Sequence, residues 1–241
     1  MYPILFKIGS LTIYSYGAML ALAIVVCSFL LQKEAKQKGI NPDFIFDLVF
    51  WVAIFGILGS RIFFVFLNIS YFIDHPFEII MIYKGGLAWQ GGLILGSLAG
   101  FLFIKRKKEP LLQVIDLVAP YIALGQAIGR LGCFLNGCCY GKEAQWGIFF
   151  PVHSAKLQPT QLYSFASLLA IFFTLKYFQK KNIAPGTVFI LYFILSSTQR
   201  FFIQFVRADY DPIFLNLGIF QIINICIILV ATYGYAYLNR R

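Results

Sequence analysis

Long apolar runs constrain this chain more than any other feature. About seven of them, each near the ~20 residues that cross a bilayer as a helix, occupy 12–32, 44–68, 86–104, 111–135, 160–178, 185–206 and 217–237. Inside lipid a backbone must satisfy its own hydrogen bonds, so runs of this length fold as helices. The composition agrees: 60% of the residues are hydrophobic and 12% are charged, against about 25% charge in a soluble domain. The expected fold is all-α, a polytopic membrane protein of about seven transmembrane helices. No repeat, low-complexity tract or long linker interrupts it, so residues 1–241 read as a single integral membrane domain. Met1 to Ser10 lack the basic start, apolar core and small-residue cleavage site of a signal peptide, and the first helix is expected to stay in place.

The formal net charge of +10 raises the question of nucleic acid, and its distribution answers it. Basic residues gather in alternate gaps: Lys33, Lys36 and Lys38; Lys105, Arg106, Lys107 and Lys108; Lys176, Lys180 and Lys181; Arg240 and Arg241. The other connections hold only Lys7, Lys84, Lys142, Lys156 and Arg207. By the positive-inside rule the N-terminus lies outside and the C-terminus in the cytoplasm. The basic excess is a topology signal, and no nucleic-acid partner is expected.

Of the cysteines, Cys27 and Cys226 fall within apolar spans and read as packing residues. Cys133, Cys138 and Cys139 lie near the outer face, where disulfides persist. A bridge from Cys133 to either of the adjacent pair is open, and sequence does not choose. Their spacing matches no usual zinc site and no histidine adjoins them. No metal or organic cofactor is expected.

The polar residues inside the spans share a depth. At ~1.5 Å per residue Arg61 stands ~27 Å along its helix from Asp43, Arg130 ~28 Å from Leu111, and Arg200 ~22 Å from Pro185. All three are then in the outer half, from three different helices. Gln204 and Arg207 follow Arg200 at i+4 and i+7, roughly on one helical face. Tyr16, Gln90, Asn136 and Gln161 stand at a similar level, whereas Asp47 and Asp116 lie near the inner ends of their spans. A guanidinium at membrane depth needs a partner. With no carboxylate at that level, a phosphate from outside the chain is the simplest counter-charge, and arginine grips phosphate with a bidentate fork that lysine lacks. Snorkelling or bonding to helix-end carbonyls is the structural alternative, strongest for Arg61. The small-xxx-small pairs Gly96/Gly100 and Gly125/Gly129 read as helix-packing faces. The paired glycines Gly91-Gly92 fit close approach to either a helix or a ligand.

These fragments resemble the bacterial prolipoprotein diacylglyceryl transferases over nearly the whole chain. The resemblance rests on Tyr16-Gly17, Gly59-Ser60-Arg61, Gly91-Gly92, Gly129-Arg130-Leu131-Gly132 through Asn136-Gly137, Pro159-Thr160-Gln161-Leu162-Tyr163, and Arg200 with Arg207. It implies transfer of a diacylglyceryl group from phosphatidylglycerol to the lipobox cysteine thiol of a prolipoprotein, in the bacterial cytoplasmic membrane. A thioether forms and glycerol phosphate leaves. On this reading Arg130 and Arg200 are catalytic, holding the phosphate as its charge grows. Asn136 and Gln161 orient the headgroup or shape the site, Tyr16 contacts lipid, and Gln90 and Gln204 complete the substrate-binding set. Arg61 and Arg207 support it.

The chain also departs from the family pattern. Gln90 stands where many members have a histidine, Cys133 where asparagine is usual, and Cys138 where glutamate is usual. Ser164 and Gln204 replace acidic residues. Neither His75 nor His153 replaces the missing base by its spacing. Two readings therefore compete: a divergent transferase that activates the thiol through its arginines, or a paralogue that binds phospholipid or a protein partner, or lipidates another thiol.

Overall fold

A computed structural model describes residues 1–8, 11–81, 85–213 and 216–238. Lys84, Arg240 and Arg241, three of the topology-setting basic residues, lie outside the described residues, as do Gly9 and Ser10. Seven long helices answer to the seven apolar runs: α1 (Ser15–Gln37), α2 (Pro42–Leu67), α4 (Trp89–Arg106), α5 (Leu111–Asn136), α6 (Thr160–Phe178), α7 (Thr187–Gln204) and α8 (Ile219–Leu238). A short α3 (Ile69–Asp74) and a 3-10 turn (Pro76–Ile80) fill the connection after α2, where a short helix is expected. Five of the long helices are apolar and long enough to span a bilayer by composition alone; α4 and α7 fall outside that group. Each has 18 residues, a rise of ~27 Å, and each is diluted by glycine or by Ser, Thr and Gln. Large apolar side chains point outward all along these helices, among them Phe29, Phe66 and Val230, at 67%, 70% and 73% exposure. In water such a surface would be an aggregation hazard; facing acyl chains it is the natural exterior. The protein is a multi-pass, all-α membrane protein.

Two details differ from expectation. Residues 12–14 do not begin the first helix: Leu11–Tyr14 forms β2, paired antiparallel with β1 (Ile4–Ile8), and the helix starts at Ser15. Ser15 causes the break, because its backbone N–H donates to the Pro3 carbonyl at 3.0 Å and its buried hydroxyl donates to that of Tyr2. A second antiparallel pair, β3 (Glu143–Phe150) and β4 (Ala155–Leu157), occupies the connection before α6.

The chain forms two compact units, Met1–Phe29 with Ile115–Arg241, and Leu30–Val114. In the second unit α2 begins at Asn41, whose side chain caps the Asp43 N–H at 2.9 Å with Pro42 at the first helical position. It packs on α4 through glycine. A methyl on Gly91 would overlap the Gly59 carbonyl oxygen and Phe63 Cβ, and one on Gly96 would stand 3.4 Å from the Val52 carbonyl. The paired glycines therefore serve helix packing. Gly91→Ala gains about 1 kcal/mol of helix propensity but forces two backbones apart, and overpacking of this kind costs about 1–3 kcal/mol. We expect a net fall in the thermal midpoint in detergent; an unchanged midpoint would mean the two helices separate freely.

In the first unit Ala119, Ala123 and Ala127 of α5, Leu168, Ile171 and Leu175 of α6, and Val188 and Tyr192 of α7 form one buried cluster. Asp116 has a structural task there: its carboxylate accepts from the Gly186 and Phe189 N–H groups at 2.6 and 2.8 Å, capping α7. Gly125 packs near Cys27, but Gly129 has open space where a side chain would stand, so this pair is not a continuous packing face. Cys226 lies on the exposed surface of α8 rather than in the protein interior.

Candidate active site

The end of α5 organises the first unit's polar cluster. Gly137 adopts φ +76°, and its N–H bonds the Phe134 carbonyl at 3.2 Å while the Cys138 N–H bonds that of Cys133 at 3.1 Å. This pair of bonds is a Schellman motif, which needs a left-handed residue after the cap and is met here by glycine. The motif folds Cys138 back over the last turn. Cys139 turns again, with φ +60°. Two side chains at the start of α6 then clamp the loop: Thr160 Oγ1 donates to the Cys139 carbonyl at 2.6 Å and Gln161 Nε2 to that of Cys138 at 2.7 Å. At Gly141 three segments meet, and a Cβ there would stand 2.8 Å from Gln158, Thr160 and the Val206 carbonyl.

Around this loop stand most of the residues singled out from sequence. The Asn136 side chain lies beside the Cys138 thiol. Gln161 is 1% exposed, and its Oε1 lacks a hydrogen-bond partner among the described residues. Tyr16 lies against Gly132, whose missing side chain lets α1 approach, and it is within Coulombic reach of Arg130. Arg130 and Arg200 bear on each other electrostatically, and Arg207 bears on Arg200. Among the described residues neither Arg130 nor Arg200 has a hydrogen-bonded or ion-paired partner.

Arg207 differs. The α7 helix ends at Gln204, so Arg207 is not on its continuing face as the i+7 spacing predicts. It reaches the loop because residues 206–208 pair with 140–142, through Lys142 N–H to Val206 and Ala208 N–H to Tyr140. Its guanidinium donates through Nε and Nη2 to Asp209, both at 2.6 Å, and lies within Coulombic reach of Cys139. The neighbouring Cys133 and Cys138 thiols, with the Arg207 and Arg130 charges, hold the Cys139 thiol below the ordinary thiol range. Gln204 is buried at the helix end.

The histidine that sequence spacing sets aside also comes here. The β3–β4 hairpin returns His153 onto Tyr140, ring centroids 4.0 Å apart, with Nε2 3.0 Å from the Gly137 carbonyl oxygen. A carbonyl only accepts, so Nε2 carries the proton and Nδ1 of the neutral ring is the acceptor. The sequence signal that could find it is the hairpin itself, which the four apolar residues Trp146, Ile148, Phe149 and Phe150 hint at too weakly.

In the second unit Arg61 is 7% exposed, and its guanidinium is spent. Nε donates to Ile79 at 2.8 Å, Nη1 to Gly85 and Gly86 at 2.7 and 2.9 Å, and Nη2 to Glu78 at 2.5 Å, all to backbone carbonyls. Gln90 stands exposed in the first turn of α4.

Comparison with known proteins adds to this geometry. A family model described as prolipoprotein diacylglyceryl transferase matches residues 3–237. The chain belongs to that family. It is 37% identical to the phosphatidylglycerol–prolipoprotein diacylglyceryl transferase of Clostridium tetani, over 98% of this chain and 97% of the relative. It is 34% identical to that of Staphylococcus carnosus, over 95% and 87%, and 35% identical to that of Trichormus variabilis, over 99% and 90%. Within a prolipoprotein diacylglyceryl transferase fold, the arginines thus divide by environment: Arg61 is consumed by backbone carbonyls, Arg207 by Asp209, and Arg130 and Arg200 have no hydrogen-bonded or ion-paired partner among the described residues.

Proposed function

We propose that this protein transfers the diacylglyceryl group of phosphatidylglycerol to the lipobox cysteine of prolipoproteins at the outer side of the bacterial cytoplasmic membrane. The observation that carries the reading is the pair Arg130 and Arg200. Two guanidiniums on separate helices face each other's charge without an internal acid, a costly arrangement that a bound phosphate relieves.

The chemistry follows from that charge. The substrate thiol loses its proton and a carbon–sulfur bond forms at the glyceryl carbon. The bond from that carbon to the phosphate oxygen breaks, and glycerol phosphate leaves with the electron pair. Negative charge grows on the phosphate as this bond breaks, so prepositioned guanidiniums stabilise the transition state more than the ground state. They also lower the thiol pKa from about 8.5. Gln161 Oε1, an acceptor in want of a donor, suits a headgroup hydroxyl. Asn136 and Gln204 shape the headgroup's surroundings, Tyr16 meets the lipid, and His153 Nδ1 offers a proton acceptor that Gln90 cannot. Arg207 and Arg61 support the loop and the connection that they tie down.

The test is purified protein in phosphatidylglycerol micelles with a lipobox peptide. We expect the peptide to gain the mass of a diacylglyceryl group with matching release of glycerol phosphate. Phosphatidylglycerol binding without turnover, while the C. tetani relative works alongside, would replace this reading with a lipid-binding paralogue.

A further inference from the structure

We infer that Cys133, Cys138 and Cys139 form a three-thiolate site for a single soft divalent cation of the zinc class. The inference goes beyond the transferase reading and does not depend on it. The three Sγ atoms lie within 4.8 Å of one another. Thiolates bound to zinc at ~2.3 Å stand ~3.8–4.0 Å apart, so the thiols need close by less than about 1 Å to share an ion.

Their convergence is built by the backbone. The 3.1 Å bond from Cys138 N–H to the Cys133 carbonyl brings the second thiol over the first, and the left-handed Cys139 turns the third toward both. A non-glycine residue is disfavoured in that conformation because its Cβ crowds the following carbonyl oxygen. The clamps from Thr160 and Gln161 hold it there. Strain maintained this way marks a segment whose geometry serves a task.

A disulfide explains the cluster less well. It consumes two thiols and leaves the third, whereas here all three thiols are free and converge on one point, their Sγ atoms within 4.8 Å of one another. Charge favours the cation as well. Three thiolates and one divalent ion carry a net charge of −1, and the Arg207 and Arg130 guanidiniums both lie within Coulombic reach of Cys139. Thiolate ligands select zinc-class and copper(I) ions over magnesium or calcium. Three protein ligands also leave a fourth position for water or an incoming ligand, the composition of an open site rather than a closed structural one. The arrangement escapes the usual spacing rules because its ligands come from a helix end folded back on itself, not from a knuckle or hairpin.

The test uses the full chain in detergent, kept reduced with a phosphine, stripped with chelator and titrated with cobalt(II) alone. We expect a near-ultraviolet thiolate-to-cobalt absorption that saturates at one ion per chain and is abolished by stoichiometric zinc(II). Cys138→Ser should weaken it and the triple change of Cys133, Cys138 and Cys139 to serine should remove it, while Cys226→Ser leaves it intact. Absence of a saturable band in the unmodified chain, survival of the band in the triple variant, or recovery of Cys133 bridged to Cys138 or Cys139 from native membranes would each overturn the site. The titration of the unmodified chain decides the matter even where a variant misfolds.

Discussion

Arg130→Ala should lower the rate of diacylglyceryl transfer by about 10³-fold while leaving the thermal midpoint at or above that of the unmodified protein. Removing one preorganised donor from a developing anion costs about 10²–10³ in rate, and an arginine that neutralises a leaving phosphate is worth about 10³–10⁵. A 10³-fold loss is about 4 kcal/mol of transition-state stabilisation. None of it should be missing from the folded state, because Arg130 has no internal partner among the described residues and repels Arg200. Arg200→Ala should behave alike, and each lysine variant should recover only part of the rate, since lysine supplies the charge without the bidentate fork. Peptide mass gain and a melting curve on the same preparation measure both quantities. Turnover within about tenfold of the unmodified protein would remove Arg130 from the catalytic role.

The two arginines show what sequence can and cannot convey. Depth follows from counting helical rise, so Arg61, Arg130 and Arg200 all read alike as outer, membrane-level cations. Their environments do not follow. Arg61 meets carbonyls 17 to 25 residues away in a connection without regular periodicity; carbonyl bonding is the alternative its sequence left strongest, but the Gly59-Ser60-Arg61 fragment does not say which carbonyls. The helices themselves were legible because each is a long apolar run. The runs blurred where a strand led directly into a helix, as at Tyr14-Ser15, since both are apolar and only the Ser15 hydrogen bonds to Pro3 and Tyr2 separate them.

The neighbourhood of α5 was legible in kind but not in assembly. Glycine after Asn136 signals a helix end, yet the gathering of three thiols depends on the two carbonyl bonds of the Schellman motif and the clamps from α6. Arg207 illustrates the same limit. Extending the α7 periodicity to i+7 carried it to the correct region for the wrong reason, because the helix had ended and a short bridge to Gly141 did the positioning. His153 was hidden by chain distance that one hairpin removes.

Arg61→Ala should do the reverse of Arg130→Ala, lowering stability by about 2–4 kcal/mol. Each hydrogen bond to a charged donor contributes about 1.5–3 kcal/mol, and Arg61 makes four. The sum is discounted because Ile79 and Gly85 are exposed, so water can replace part of what is lost. Stacking adds to the loss: the guanidinium lies 5.7 Å from the Phe64 ring centroid and 5.3 Å from that of Phe72, each such contact being worth about 0.5–1 kcal/mol. The fall should appear as a lower melting midpoint and as faster proteolysis next to Glu78, Ile79, Gly85 and Gly86, whose carbonyls Arg61 ties to α2. Phosphatidylglycerol affinity measured well below the new midpoint should stay near that of the unmodified protein. An Arg61→Ala protein that melts normally and resists protease but no longer binds phosphatidylglycerol would restore Arg61 to the phosphate-holding set that its depth suggests.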